Sequence, residues 1–160
     1  MATLIQSESF QFNLPLSIIS SSASETFALG KHLVPLLEKK SVVALKGPLG
    51  TGKTCLAKGL ACGLGIAEEV TSPTYTIVSE YEAIVQGVKI PVYHIDAYRL
   101  EGNDDFAAIG GEEIVFGEGL SIIEWSERIS DFIPGGALRV DIEITGDNER
   151  KICVYKSKNE

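Results

Sequence analysis

An α/β domain is the fold class that the sequence predicts, and three observations predict it. A short apolar run, "SVVALKG", leads through a glycine-rich loop into a helical pattern, "KTCLAKGLACGLG". A second apolar run, "GLSIIEW", has the length of a buried strand and ends in an acid. Near the C-terminus, "ALRVDIEIT" alternates Leu138, Val140, Ile142 and Ile144, and the polar turn "GDNER" leads on to "KICVY". That pair reads as a closing hairpin.

The other elements follow in chain order. Phe10, Phe12, Leu14, Leu16 and Ile18 alternate, which gives an early strand, and Pro15 favours a sheet edge. "SASETFALGKHLVPLLEKK" reads as a helix, with Ser22 and Glu25 at capping-box spacing and Phe27, Leu33, Leu36 and Leu37 as its stripe. Gly30 and Pro35 count against that helix. The helix after the glycine-rich loop is closed by Gly63 and Gly65. "SPTYTIVSEYEAIVQGVKIPVYHIDAYRL" gives two extended stretches turned near Gln86 and Gly87. "DDFAAIGGEE" holds a short helix that breaks at Gly110 and Gly111.

Length and charge limit the function. At 160 residues the chain suits one core, and no repeat or linker divides it, so residues 1–160 are read as a single domain. The net charge is −8 and the 14 Lys and Arg residues form no dense cluster, which disfavours a direct grip on nucleic acid. A protein or small-molecule partner fits better. No apolar run nears the roughly 20 residues that a bilayer needs. "MATLIQSESF" lacks a basic start and an apolar core, so the expectation is a soluble cytoplasmic protein without a membrane contact. Cys55, Cys62 and Cys153 form no metal spacing with His32 and His94 and read as reduced thiols. Cys55 and Cys62 lie seven apart on one helix and are expected to pack in the core.

The glycine-rich loop carries the chemistry. Gly47-Pro48-Leu49-Gly50-Thr51-Gly52-Lys53-Thr54 fits G-x-x-x-x-G-K-[ST] between a strand and a helix, the setting of a phosphate-binding P-loop. The glycines let successive N–H groups face phosphate oxygens, and the helix N-terminus adds positive potential. Lys53 can reach β- and γ-phosphates, and the Thr54 hydroxyl can ligate Mg2+. Phosphoryl transfer also needs an acid near the metal and a group that positions the nucleophile. Asp96 in "VYHIDAYR" and Glu124 in "LSIIEW" qualify, and the cleaner apolar run favours Glu124 as the metal-side acid. Either acid can also be a solvated strand end. Thr71, Ser72, Thr74 and Thr76 make a hydroxyl-bearing loop that can sense a γ-phosphate or can be a plain turn around Pro73. Tyr75, Trp125 and His94 read more readily as core or interface residues.

Three classes remain open on these residues. A small-molecule P-loop kinase needs an arginine-bearing lid, and Arg99, Arg128, Arg139 and Arg150 are scattered. A GTPase needs an N-K-x-D motif, which is absent, so ATP hydrolysis is favoured over GTP. A nucleotide-binding subunit with negligible turnover is the third.

"GPLGTGKT", "SPTYTIVSEY", "YHIDAYRL" and "IIEWSER", in this order and at these separations, resemble the TsaE (YjeE) family of small bacterial ATPases. That family is required for threonylcarbamoyladenosine modification of tRNA. The likeness runs from about Ser22 to the C-terminal hairpin. It implies a P-loop NTPase-like, three-layer fold with a mixed central sheet. It also implies ATP and Mg2+, weak ATPase activity, and the partners TsaD and TsaB, with tRNA reached only through their complex. By position, Gly47, Leu49, Gly50, Thr51, Gly52, Lys53, Thr54 and Cys55 are implied to hold the nucleotide. Thr54 and Glu124 match the Mg2+ ligands, and Asp96, with Lys53, matches the hydrolytic machinery. Thr74 lies in the switch-like segment, Trp125 lies near the nucleotide, and Ser22 and Ala23 match the region that touches the base. The chain departs from the family at Pro48, commonly an acid, at Thr51, commonly Ala or Ser, and at Cys55, commonly Thr.

Overall fold

The computed structural model describes residues 13–70 and 77–156. The strands are β1 (Leu16–Ser20), β2 (Val42–Lys46), β3 (Val78–Val85), β4 (Val88–Asp96), β5 (Leu120–Glu124), β6 (Leu138–Gly146) and β7 (Glu149–Lys156). They form one seven-stranded sheet in the order β1-β7-β6-β2-β5-β4-β3. β6, β2, β5 and β4 run parallel, and β3, β7 and β1 add antiparallel pairings at the flanks. The sheet is therefore mixed, as expected.

Burial explains the three layers. Val42 to Leu45 of β2 and all of β5 are buried, which is why both read as unbroken apolar runs. Helices α1 (Ala23–Leu33) and α2 (Lys53–Gly63) share one core with Val43, Leu45, Leu120 and Ile122. The alternate residues Val42, Ala44 and Ile123 join a second core. It is closed by the short helices α3 (Asn103–Ala108) and α4 (Gly111–Val115) and the 3-10 segment Ser126–Phe132. Each central strand thus feeds two cores through its two faces.

Local chemistry fixes the element ends. Ser22 caps α1, its Oγ accepting from the Glu25 N–H at 3.1 Å, and Glu25 Oε2 accepts from the Ser21 N–H at 2.6 Å. The long helical pattern stops at Leu33, and Val34–Leu36 tightens into a 3-10 turn with Pro35 near its start. Gly30 does not break α1. A Cβ there would collide with the Leu56 carbonyl and come within 2.8 Å of the Leu60 nitrogen. A Cβ at Gly59 would run into the Phe27 carbonyl. The two glycines let α1 and α2 pack backbone to backbone.

Helix α2 closes at Gly63 and Gly65, as the sequence suggests. Gly63 is still helical, and the stop is Gly65, at φ 80°, where Ile66 N–H donates to the Ala61 carbonyl at 3.1 Å. The cysteine expectation fails. Leu56, Ala57, Leu60 and Ala61 carry the buried stripe of α2, so Cys62 is exposed and Cys55 only half-buried beside it.

The remaining turns agree with the sequence. Gln86 at φ 51° and Gly87 at φ 80° turn β3 into β4, and Gly110 at φ 83° separates α3 from α4. β1 lies at a sheet edge, while Phe10 and Phe12 are outside the described residues. Among the described residues no helix is long and apolar enough to cross a membrane.

Candidate functional site

The C-terminal ends of β2, β5 and β4 lie side by side, with Leu45 opposite Glu124 and Glu124 opposite Asp96. In open α/β sheets, ligands gather at this end of the strands. The loop from β2 to α2 folds over it. Gly50 and Gly52 sit at φ 79° and 104°, a region open to glycine at little cost. A Cβ at Gly47 would press to 2.6 Å from the Ile142 carbonyl of β6, so the neighbouring strand dictates that glycine. Gly52 caps α2 without any side-chain bond. The first N–H groups of α2 therefore have no side-chain cap, the arrangement that suits a phosphate.

Lys53 is 5% exposed. Its Nζ donates to the Gly47 carbonyl at 2.5 Å and the Pro48 carbonyl at 2.8 Å, and stands 4.0 Å from the centre of the Trp125 ring. Burial pushes the ammonium pKa below its ordinary value, while Glu124, Glu127 and Asp96 pull it back up. The Thr54 hydroxyl donates to Glu124 Oε1 at 2.7 Å. Glu124, 2% exposed, has its other oxygen, Oε2, 2.5 Å from His94 Nε2. Asp96 is half-buried, and its Oδ1 accepts from the Tyr98 N–H at 3.0 Å. The two acids thus differ in setting. One is buried and doubly bonded next to Thr54, and the other lies nearer solvent.

Two cavities flank the loop and share Gly50, Thr51 and Gly52. The first, about 380 Å³, is lined by Leu49, Lys53, Thr54, Asp96, Glu124 and Trp125, with Tyr98 beside them. Trp125 adopts φ 60°, unusual for a bulky residue, and its ring meets that of Tyr98 at 5.0 Å. The second, about 420 Å³, is lined by Ser22, Ala23, Cys55, Asp147, Asn148 and Arg150. Cys55 Sγ donates to the Ala23 carbonyl at 3.2 Å, and burial pushes its thiol pKa up. Arg150 Nη2 donates to the Gly50 carbonyl at 3.3 Å. Thr51 is 1% exposed, and its Oγ1 has no hydrogen-bond partner among the described residues. A buried hydroxyl left so is costly, and a phosphate oxygen is a group that would satisfy it.

Most sequence-predicted residues are therefore brought together. Thr74, with Thr71, Ser72, Tyr75 and Thr76, lies outside the described residues. Sequence reasoning missed two things. His94 was read as core, although it is two residues before Asp96 and so on the same strand face. Asp147, Asn148 and Arg150 passed as an ordinary polar turn, and their only signal was the charge of "GDNER".

A buried parallel strand feeding a helix start without a side-chain cap, with a lysine and a threonine there and an acid on the next strand, marks a P-loop NTPase-like protein. Comparison with known proteins narrows the class. The family model "Threonylcarbamoyl adenosine biosynthesis protein TsaE" matches residues 20–152, and the chain belongs to that family. A curated tRNA threonylcarbamoyladenosine biosynthesis protein TsaE of Treponema pallidum is 43% identical, over 85% of this chain and 97% of its own. The protein of that name from Bacillus subtilis is 41% identical, over 80% of this chain and 77% of its own. The crystal structure of Bacillus subtilis YdiB superposes with a TM-score of 0.67 at 35% identity, covering 90% of this chain and 86% of that one.

Proposed function

We propose that this protein is an Mg2+-dependent ATPase that serves threonylcarbamoyladenosine modification of tRNA by acting on a TsaB–TsaD complex. Family membership supports the pathway. The observation that carries the chemistry is the 2.7 Å bond between Thr54 and Glu124, which sets a hydroxyl and a carboxylate together at the P-loop. Both are hard oxygen donors of the kind that Mg2+ takes, in the small number it usually accepts from protein. When bound, Mg2+ neutralises charge on the phosphate oxygens.

The chain's own residues divide the remaining work. The loop N–H groups and the Lys53 ammonium hold the phosphates. Thr54 and Glu124 hold the metal. Asp96, nearer solvent, orients a water or takes its proton. Trp125 and Tyr98 wall that side of the site. Ser22, Ala23 and Cys55 face the base, and Arg150 braces the loop through Gly50. With a net charge of −8, the protein reaches tRNA through its partners rather than by gripping phosphates itself. A cytoplasmic location goes with this work.

The test is the ATPase rate with and without TsaB and TsaD, on the wild type and on Asp96→Ala. The complex is expected to stimulate the wild type. Asp96→Ala is expected to keep ATP binding and lose stimulated hydrolysis by about 100-fold or more. Loss of Mg2+-dependent binding in Asp96→Ala, with normal binding in Glu124→Ala, would exchange the roles of the two acids. No stimulation at all would favour a nucleotide-binding subunit without turnover.

A further inference from the structure

We propose that His94 is a positioning residue of the metal site, holding the Glu124 carboxylate in the plane that offers one oxygen to the Thr54 side. This inference rests on the reading of Thr54 and Glu124 as the metal ligands. A glutamate carboxylate turns easily about its last torsion, so nothing in the residue itself fixes the plane in which its two oxygens lie. Here each oxygen has its own partner. Oε2 lies 2.5 Å from His94 Nε2, and Oε1 accepts from Thr54 at 2.7 Å. A carboxylate only accepts, so Nε2 carries the hydrogen of that bond.

The ring is fixed in turn by its surroundings. His94 is 2% exposed, and β5 places Ile122 next to it in register. Ile90 and Val92, at alternate positions of β4, belong to the core shared with α1 and α2. Its other nitrogen, Nδ1, is buried with no hydrogen-bond partner among the described residues. Among the described residues, Glu124 is thus the only polar partner of the ring. A residue kept for packing alone would be better apolar, because an unpaired buried nitrogen is unfavourable. Partners of this kind, one step behind the ligand, fix ligand orientation and set metal affinity.

The test compares side chains that reach the Nε2 position with ones that do not. Glutamine carries an N–H at about that reach, asparagine falls short of it, and phenylalanine has the shape without the donor. For each variant the affinity for the non-hydrolysable analogue AMPPNP is measured by calorimetry in Mg2+ and in EDTA, together with the thermal midpoint. The ratio of the two affinities reads the metal alone. His94→Asn and His94→Phe are expected to lower that ratio by roughly 10-fold or more, with the EDTA affinity unchanged, while His94→Gln keeps it within about threefold. A wild-type ratio in His94→Asn or His94→Phe, whatever the midpoint does, would overturn the proposal. If those two do not fold, His94→Gln decides alone, and a ratio collapsed as far as in Glu124→Ala overturns it. Glu124→Ala separates this idea from the reading beneath it. If that variant keeps the wild-type ratio, the metal assignment itself fails. If it loses the ratio while the His94 variants do not, only the role of His94 fails.

Discussion

The two sides of the P-loop are built from different materials. The side facing Lys53, Thr54, Asp96 and Glu124 uses the ends of β2, β4 and β5 and the first turn of α2. Lys53 and Glu124 are buried there, and Glu124 is bonded to Thr54 and to His94 across the sheet, while Asp96 lies nearer solvent. The side facing Ser22, Ala23 and Arg150 uses a helix cap and a hairpin turn. Ser22, Asp147 and Asn148 are exposed there, and the half-buried Arg150 reaches the loop by one long bond to Gly50. The first side is rigid because strand register sets it. The second depends on how closely α1 packs against α2 and where a turn happens to project. On the function proposed above, phosphate chemistry, which tolerates little displacement, would belong to the first, and looser contact with a base to the second.

The largest expected effect tests the rigid side. Lys53→Met is expected to weaken ATP binding by about 100-fold or more, measured by calorimetry. The same variant should be more stable than the wild type without nucleotide. Burial lowers the Lys53 pKa, so the folded state binds its proton less readily than the unfolded chain does. Holding the charge is then a penalty below the folded pKa. It fades as pH rises through that pKa towards the ordinary value of 10.5. The stability gained by Lys53→Met, followed by urea unfolding, should therefore shrink as pH rises through that window. A gain that grows with pH would contradict it.

Gly59→Ala separates the two sides. The added methyl has no room against the Phe27 carbonyl, so α1 must move off α2. Urea unfolding is expected to show a loss of about 1–3 kcal/mol. ATP affinity should fall, because Ser22 and Ala23 leave the base side, while the affinity ratio between Mg2+ and EDTA stays as in the wild type. A change in that ratio would show that the two sides are mechanically one.

How far each side could be read from sequence follows the same division. The P-loop, the acid ending β5 and the closing hairpin are patterns of a few adjacent residues, and each stands where the pattern puts it. The stripe of α2 was misjudged because Cys55 and Cys62 share a face that lies beside the core rather than in it. Gly30 looked like a breaker because its reason lies in another helix, at Leu56 and Leu60. Arg150 meets Gly50 from 100 positions away, and nothing local announces that contact. Contacts set by a strand period are legible; contacts set by how a turn closes over a distant loop are not.

The smaller effects test the base side. Arg150→Ala removes one exposed bond to the loop, and ATP affinity should drop by about 2- to 10-fold with the Mg2+ ratio untouched. Ser22→Ala removes the cap of α1 and should cost about 1 kcal/mol of stability in urea unfolding. Its effect on ATP affinity should be smaller than that of Arg150→Ala. A larger one would place the cap, rather than the hairpin, as the main contact on that side.

The position of Trp125 has an optical consequence. It is the one tryptophan of the chain, and the Lys53 ammonium sits over its ring. Indole emission responds to a nearby charge, so the protein carries a built-in fluorophore beside the P-loop lysine. A phosphate that draws Lys53 towards itself changes the field on that ring. Titrating nucleotide should shift the emission of the wild type, and the Lys53→Met protein should stay dark to the same titration.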